Sequence, residues 1–217
     1  DGTSTDLPAA LTSAESASCS NSANIIGTTV TYPARRYVHL SQAAGITGLN
    51  GTDAVPLWCT FYFRHVPDGG TGTRTGVGFF NCLNTNVPTS SNISHYYELG
   101  CYNGTAPTTN YTFRDSLDSG PGWVATSITR GNDVWHKMQI KLTASATTVY
   151  VDDVQAYTGT RFGPNEPITT ITLGIGLGTA GRDSWVDNVS LSVGPTATDP
   201  FGAPLPSPTI SGTHIPT

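Results

Sequence analysis

Between residues 134 and 142 the chain alternates strictly, with Val134, His136, Met138, Ile140 and Leu142 set against Trp135, Lys137, Gln139 and Lys141. A period of two sends those sets to opposite faces of an extended strand, one face for a core and one for a polar surface. Residues 57–66 repeat the device, with Leu57, Cys59, Phe61 and Phe63 opposing Trp58, Thr60, Tyr62 and Arg64. Residues 95–102 set His95, Tyr97, Leu99 and Cys101 against Tyr96, Glu98, Gly100 and Tyr102. Strands with one apolar face need a second layer to cover it, so the expected fold is all-β, a two-sheet antiparallel β-sandwich. Further strands are predicted over residues 28–32, 36–40, 76–83, 111–114, 124–128, 147–154, 168–177 and 185–193, with Gly-, Pro- and Asn-rich turns between them. Residues 1–27 read as an irregular lead-in with one short helical turn near residues 9–14, completing a domain over residues 1–193. Residues 194–217 lose the alternation and read as a Pro/Thr/Ser-rich tail or linker.

Composition narrows the partners. Charged residues are 12% of the chain, against about 25% in an average domain, so long surface helices have little to build from. The net charge is −5 and no Lys/Arg run occurs, which leaves no footprint for nucleic acid. No apolar stretch approaches the ~20 residues of a membrane-spanning helix, so membrane insertion is not expected. The first residue is Asp1, with no apolar leader after it, as expected of a mature or trimmed product. Four cysteines, Cys19, Cys59, Cys82 and Cys101, form no C-x-x-C pair. One or two disulfides are expected of a secreted chain; four reduced core thiols are the alternative. Asn50, Asn92, Asn103, Asn110 and Asn188 each begin an N-x-[ST] triplet and are candidate glycosylation sites, in line with an extracellular, secreted or particle-surface location.

The last third carries a resemblance. The segment VWHKMQIKLTASATTVYVDDVQAYTG, followed by ITTITLGIGLGTAGRDSWVDNVSLSV, resembles laminin-G-like and concanavalin A-like jelly rolls in strand order and spacing over residues 133–193. Gly174, Gly176 and Gly178 alternate with Ile175 and Leu177, leaving one face of that strand as bare backbone open to a packed aromatic or a ligand. The superfamily houses lectins, adhesion modules, glycosidases, lyases and virion proteins, so the site must decide the function.

A sugar needs aromatic faces to stack on and planar side chains for its hydroxyls. Trp58, Tyr62, Arg64, Tyr96, Glu98, Tyr102, Lys137 and Gln139 supply both and pave one surface if their strands share a sheet. A one-residue slip would instead turn Trp58 and Tyr62 into core. The resemblance to uronate lyases implies a Tyr or His acid/base with Arg or Gln on the carboxylate, and Arg64, His95, Tyr97 and Gln139 have those types. The compact lyase strand motifs are missing, and His95 shares a face with Leu99, as a structural histidine would. A retaining glycosidase needs two carboxylates about 5 Å apart on one face. Glu15, Glu98 and Glu166 are scattered, and Asp152-Asp153 belongs to a turn. Related jelly rolls tie the N-terminus to the last strand through calcium, for which Asp187 and Asp6 are the candidates, unless Asp187 caps a loop or pairs with Arg35, Arg36 or Arg182. The leading expectation is a non-enzymatic extracellular recognition module binding a polysaccharide or surface glycan, or packing on a neighbouring protein subunit. The alternatives are a uronate-directed polysaccharide lyase and a structural subunit of a virion surface or fibre.

Overall fold

A computed structural model describes residues 10–12, 22–25, 35–65, 74–84, 92–102, 109–115, 122–131, 133–163, 165–174 and 184–197. Among them run β1 (Ala10–Thr12), β2 (Ser22–Ile25), β3 (Arg35–His39), α1 (Leu40–Ala44), β4 (Leu57–His65), β5 (Arg74–Cys82), β6 (Ile93–Tyr102) and β7 (Asn110–Asp115). They continue with β8 (Trp123–Thr129), β9 (His136–Leu142), β10 (Ala146–Val151), β11 (Val154–Thr160), β12 (Thr170–Gly174) and β13 (Ser184–Val193). A seven-stranded sheet has the order β1-β2-β13-β4-β9-β10-β11, and a six-stranded sheet the order β3-β12-β5-β6-β7-β8. Among the described residues every strand pairing is antiparallel.

The alternation sets which faces meet. Leu57, Cys59, Phe61 and Phe63 of β4 and Met138, Ile140 and Leu142 of β9 face Val77, Phe79, Tyr97, Leu99, Tyr111 and Phe113 of the other sheet in one core. Each such side chain contributes about 1.5–3 kcal/mol by leaving water. A second apolar cluster, Phe80, Cys82, Ile93 and Tyr96, lies on the outer face of β5 and β6.

Some expectations change. The helical turn near residues 9–14 is the short strand β1, while the helix that does form, α1, ends on Gly45 in the left-handed conformation (φ 67°). Residues 147–154 are not one strand: Asp152 (φ 50°) and Asp153 (φ 65°) fold the chain back, so that Val154 pairs with Val151 and β11 follows. Two aspartates in left-handed conformations make the hairpin turn that Asn-Gly usually makes. Residues 28–32, Gly176 and Gly178 lie outside the described residues, as does the tail beyond residue 197. Where the tail begins, Gly194 N–H donates to Pro56 O at 3.0 Å.

The expected disulfides are not found at the three described cysteines, none of which is bridged to another. Cys59 and Cys101 are free thiols in the core, where alternation points them among apolar side chains. Burial pushes both thiols up, that of Cys101 to about 12, so neither ionises near neutrality. Cys19 lies outside the described residues.

The β10–β11 turn carries a pH response. Burial raises the Asp152 carboxyl, but hydrogen bonds from His136 Nδ1 (2.6 Å) and the Lys137 amide (2.9 Å) outweigh it and hold the group below the usual carboxylate range. A carboxyl depressed in the native state takes up its proton more readily when unfolded. Its stabilisation is therefore full above about pH 4 and is lost as pH falls through the native value. Asp152→Asn keeps a residue suited to the left-handed turn. In urea denaturation from pH 6 to pH 2 it is expected to show a shallower acid loss than the wild type; parallel curves would refute the assignment.

Candidate functional site

The eight side chains expected on one surface fall on two. Trp58, Tyr62 and Arg64 on β4 and Lys137 and Gln139 on β9 occupy the outer face of the seven-stranded sheet, while Tyr96, Glu98 and Tyr102 on β6 occupy the outer face of the six-stranded one. Outer faces of a sandwich point in opposite directions, so the single paved surface is ruled out by topology. Local periodicity sorts residues between faces; it does not say which strands share a sheet. The lyase constellation separates as well. Arg64 and Gln139 point outward, whereas His95 and Tyr97 face the core. His95 Nε2 meets Asp115 Oδ1 at 2.8 Å, and the Tyr97 hydroxyl takes a 2.8 Å hydrogen bond from Arg161 Nε.

The six-stranded sheet carries the denser outer face. Its registers line up Tyr37, Thr172, Gly78, Glu98, Arg114 and Trp123 as one row across all six strands. The neighbouring row is Arg35, Gly174, Gly76, Gly100, Thr112 and Ala125, whose three glycines form a strip without side chains. Gly76 and Gly100 face each other, and backbones come so close that a Cβ on Gly100 would stand 2.2 Å from Thr75 O and one on Gly76 2.4 Å from Leu99 O. Only glycine fits there. The bare-backbone face read at Gly174 thus continues onto β5 and β6.

Charged and aromatic side chains reach across this strip. Arg74 grips Glu98 with both ends of its guanidinium, one bond being Nε to Oε1 at 2.8 Å, and both residues are buried although they stand on an outer face. The Arg74 guanidinium also lies 4.8 Å from the Trp123 ring centre, and that of Arg114 lies 4.8 Å from Tyr96. Tyr102 and Trp123 stack at 4.7 Å and 28°, and both are half-buried, so part of the pair meets solvent. Burial raises the Tyr96 phenol, against the opposing pull of Arg114 and Arg74, which keeps it a neutral donor at physiological pH. Further along the row the Thr172 hydroxyl is buried without a hydrogen-bond partner, and on the next row His39 Nδ1 lies 2.7 Å from Thr170 Oγ1. A surface whose half-buried aromatic stack is held by a fixed guanidinium–carboxylate fork can take the ring face of a sugar.

Sequence reasoning found Tyr96, Glu98 and Tyr102 but missed Arg74, Arg114, Trp123 and Thr172. Arg74 and Trp123 sit at strand starts that reach two residues and one residue before the predicted ones. Running the alternation back from Gly76 would have recovered Arg74.

On the opposite face, Arg64 is held by Asp133 (Nη2 to Oδ1, 2.6 Å) and lies over Trp185 (4.9 Å), and Tyr62 stands in register with Asp187 and Lys137. Asp187 caps the bulge of β13: its Oδ1 accepts the Asn188 amide at 2.8 Å, where Asn188 has φ 51°. Calcium takes about 6–8 oxygens. Asp187 by itself does not fit that need, Asp6 lies outside the described residues, and among the described residues no three His, Cys, Asp or Glu side chains cluster. Of the candidate glycosylation sites, Asn92 is buried with Nδ2 donated to Asn84, and Asn110 gives its Nδ2 to Thr126 O at 2.7 Å. Asn50 lies on an exposed loop, its Oδ1 taken by Arg161, and Asn103 is outside the described residues.

No known protein family and no curated protein matches the sequence. Among solved structures, the cellulose-induced protein Cip1 superposes with a TM-score of 0.53 at 11% identity, over 84% of this chain and 84% of that one. A sialidase gives 0.47 at 13% identity over 79% of this chain, which spans 15% of the sialidase's length. Sheep galectin-11, solved with glycerol, gives 0.43 at 9% identity over 76% of this chain and 100% of the galectin. At such identities likeness shows fold alone, and Cip1 carries it: the chain is a jelly-roll-type β-sandwich. The laminin-G-like character stays a resemblance of sequence.

Proposed function

We propose that this chain is a non-enzymatic, extracellular glycan-recognition module whose binding surface is the outer face of the six-stranded sheet. The observation that carries the reading is the Arg74–Glu98 fork, buried on an outward face beside a glycine strip and under the Trp123–Tyr102 stack. A buried ion pair stabilises a fold poorly, since apolar residues of like size serve as well or better. Its presence on an outer face is better explained by the aromatic pair that it holds in place for a ligand. The half-buried Trp123–Tyr102 stack offers an apolar face to C–H groups, and the Arg74 guanidinium against the Trp123 ring fixes its orientation.

The test is retention on a panel of immobilised polysaccharides. Trp123→Ala is expected to weaken binding to the retained glycan by at least about tenfold, as loss of an aromatic anchor does, with little change in melting because the ring is half-buried. Equal retention of Trp123→Ala, Tyr102→Ala and wild type would sink this assignment of the site.

A further inference from the structure

The other outer face holds a groove of about 410 Å³, built on β4, β9 and β10 and walled by residues 195–197. Trp58 and Tyr150 form its aromatic base, with ring centres 5.8 Å apart, and the Trp58 indole is pinned by a 3.1 Å hydrogen bond from Nε1 to Gly194 O. Lys137, Gln139 and Lys141 project from β9 along the same face, and Asp153 closes one side. The two lysines differ in a way that matters. Lys137 Nζ is neutralised by Asp153 Oδ1 at 2.6 Å, as Arg64 is by Asp133. Lys141 Nζ lies 5.3 Å from the ring centre of Trp58, and no carboxylate among the described residues pairs with it. In a chain of net charge −5 with 10 Lys and Arg in all, an ammonium without a counter-charge over an indole in a groove is an anion-seeking group.

We infer that this groove is a second saccharide site, on the face opposite the first, selective for a sugar that carries a negative charge. The volume falls in the range of about 300–1,000 Å³ typical of small-ligand sites. The aromatic pair takes the ring, Gln139 faces its hydroxyls, and the anionic group pairs with Lys141. Two sites on opposite faces let one chain engage two glycans of different charge. The inference rests on the groove's own residues, so it stands or falls apart from the six-stranded face.

Titration calorimetry of the full chain with tetragalacturonate, its methyl ester and a sulfated chondroitin tetrasaccharide tests it, the first and third separating carboxylate from sulfate. The free acid or the sulfated oligomer is expected to bind at least about tenfold more tightly than the neutral ester and to weaken with salt. Lys141→Gln is expected to cut that affinity about tenfold, and Lys141→Arg to restore most of it. Equal binding of acid and ester, unchanged affinity in Lys141→Gln, or no binding of either anionic probe would overturn the inference. Retention on neutral polysaccharide, measured in parallel, reports on the other face, so failure of either reading is visible separately.

Discussion

Replacing Glu98 with alanine is expected to cost roughly 3–5 kcal/mol of stability, the usual penalty for stranding one partner of a buried ion pair. Glu98 is 2% exposed and Arg74 is 7% exposed, so the guanidinium left behind has little water to turn to. Its remaining described neighbours are the face of Trp123 and the phenols of Tyr96 and Tyr102, none of which carries a counter-charge. The double variant Arg74→Met/Glu98→Leu separates stability from recognition. Removing both charges together is expected to recover most of the lost stability, because apolar residues of similar volume replace such a pair at little cost. It is not expected to recover glycan retention, since Trp123 loses the guanidinium that holds its ring. Urea denaturation of the two variants decides: a Glu98→Ala cost under about 1 kcal/mol would mean that the pair is hydrated in solution.

Arg161→Met is the second large effect, again roughly 3–5 kcal/mol, with a different origin. Arg161 is 3% exposed and ties the loops at Asn50, Thr143 and Glu166 to the sandwich. Nε donates to the Tyr97 hydroxyl at 2.8 Å, Nη1 to Thr143 O at 2.7 Å, and Nη2 to Asn50 Oδ1 at 2.6 Å. Methionine fills the volume but leaves the carbonyls and the phenol without donors in a dry environment. Lysine does not substitute, since a single ammonium cannot reach three separated acceptors in the fixed geometry of a guanidinium. Chemical denaturation of both variants checks this; Arg161→Lys as stable as wild type would show that charge alone matters there.

The strands were legible because alternation is a local property. The core and surface sets of β4, β6 and β9 were readable from a few residues each, and the structure keeps both faces as the periodicity sorted them, except that Val134, set with the core face, lies ahead of β9 and is exposed. The partnering of β4 with β9 and β13, and of β6 with β5 and β7, depends on contacts far apart in sequence that periodicity does not encode. That is why Tyr96, Glu98 and Tyr102 were found yet grouped with Trp58 and Gln139. Strand ends were harder still. Arg74 follows a turn-rich stretch, and Trp123 follows Gly122, whose φ of 74° breaks the chain direction. Arg161 carries no periodic signal, because it leaves the end of β11 and acts through loop carbonyls. The paired aspartates at residues 152–153 were correctly placed in a turn, but without a glycine the turn gave no sign that a further strand follows.

The most direct test is an amide and indole NMR titration of the full chain with whichever neutral oligosaccharide it retains. Shifts are expected to concentrate on the Trp123 indole and on the amides of Gly76, Gly100, Thr112 and Arg114, which border the bare strip. Shifts absent from that row, or confined to β4, β9 and β10 on the opposite face, would contradict the six-stranded sheet as the glycan-binding surface.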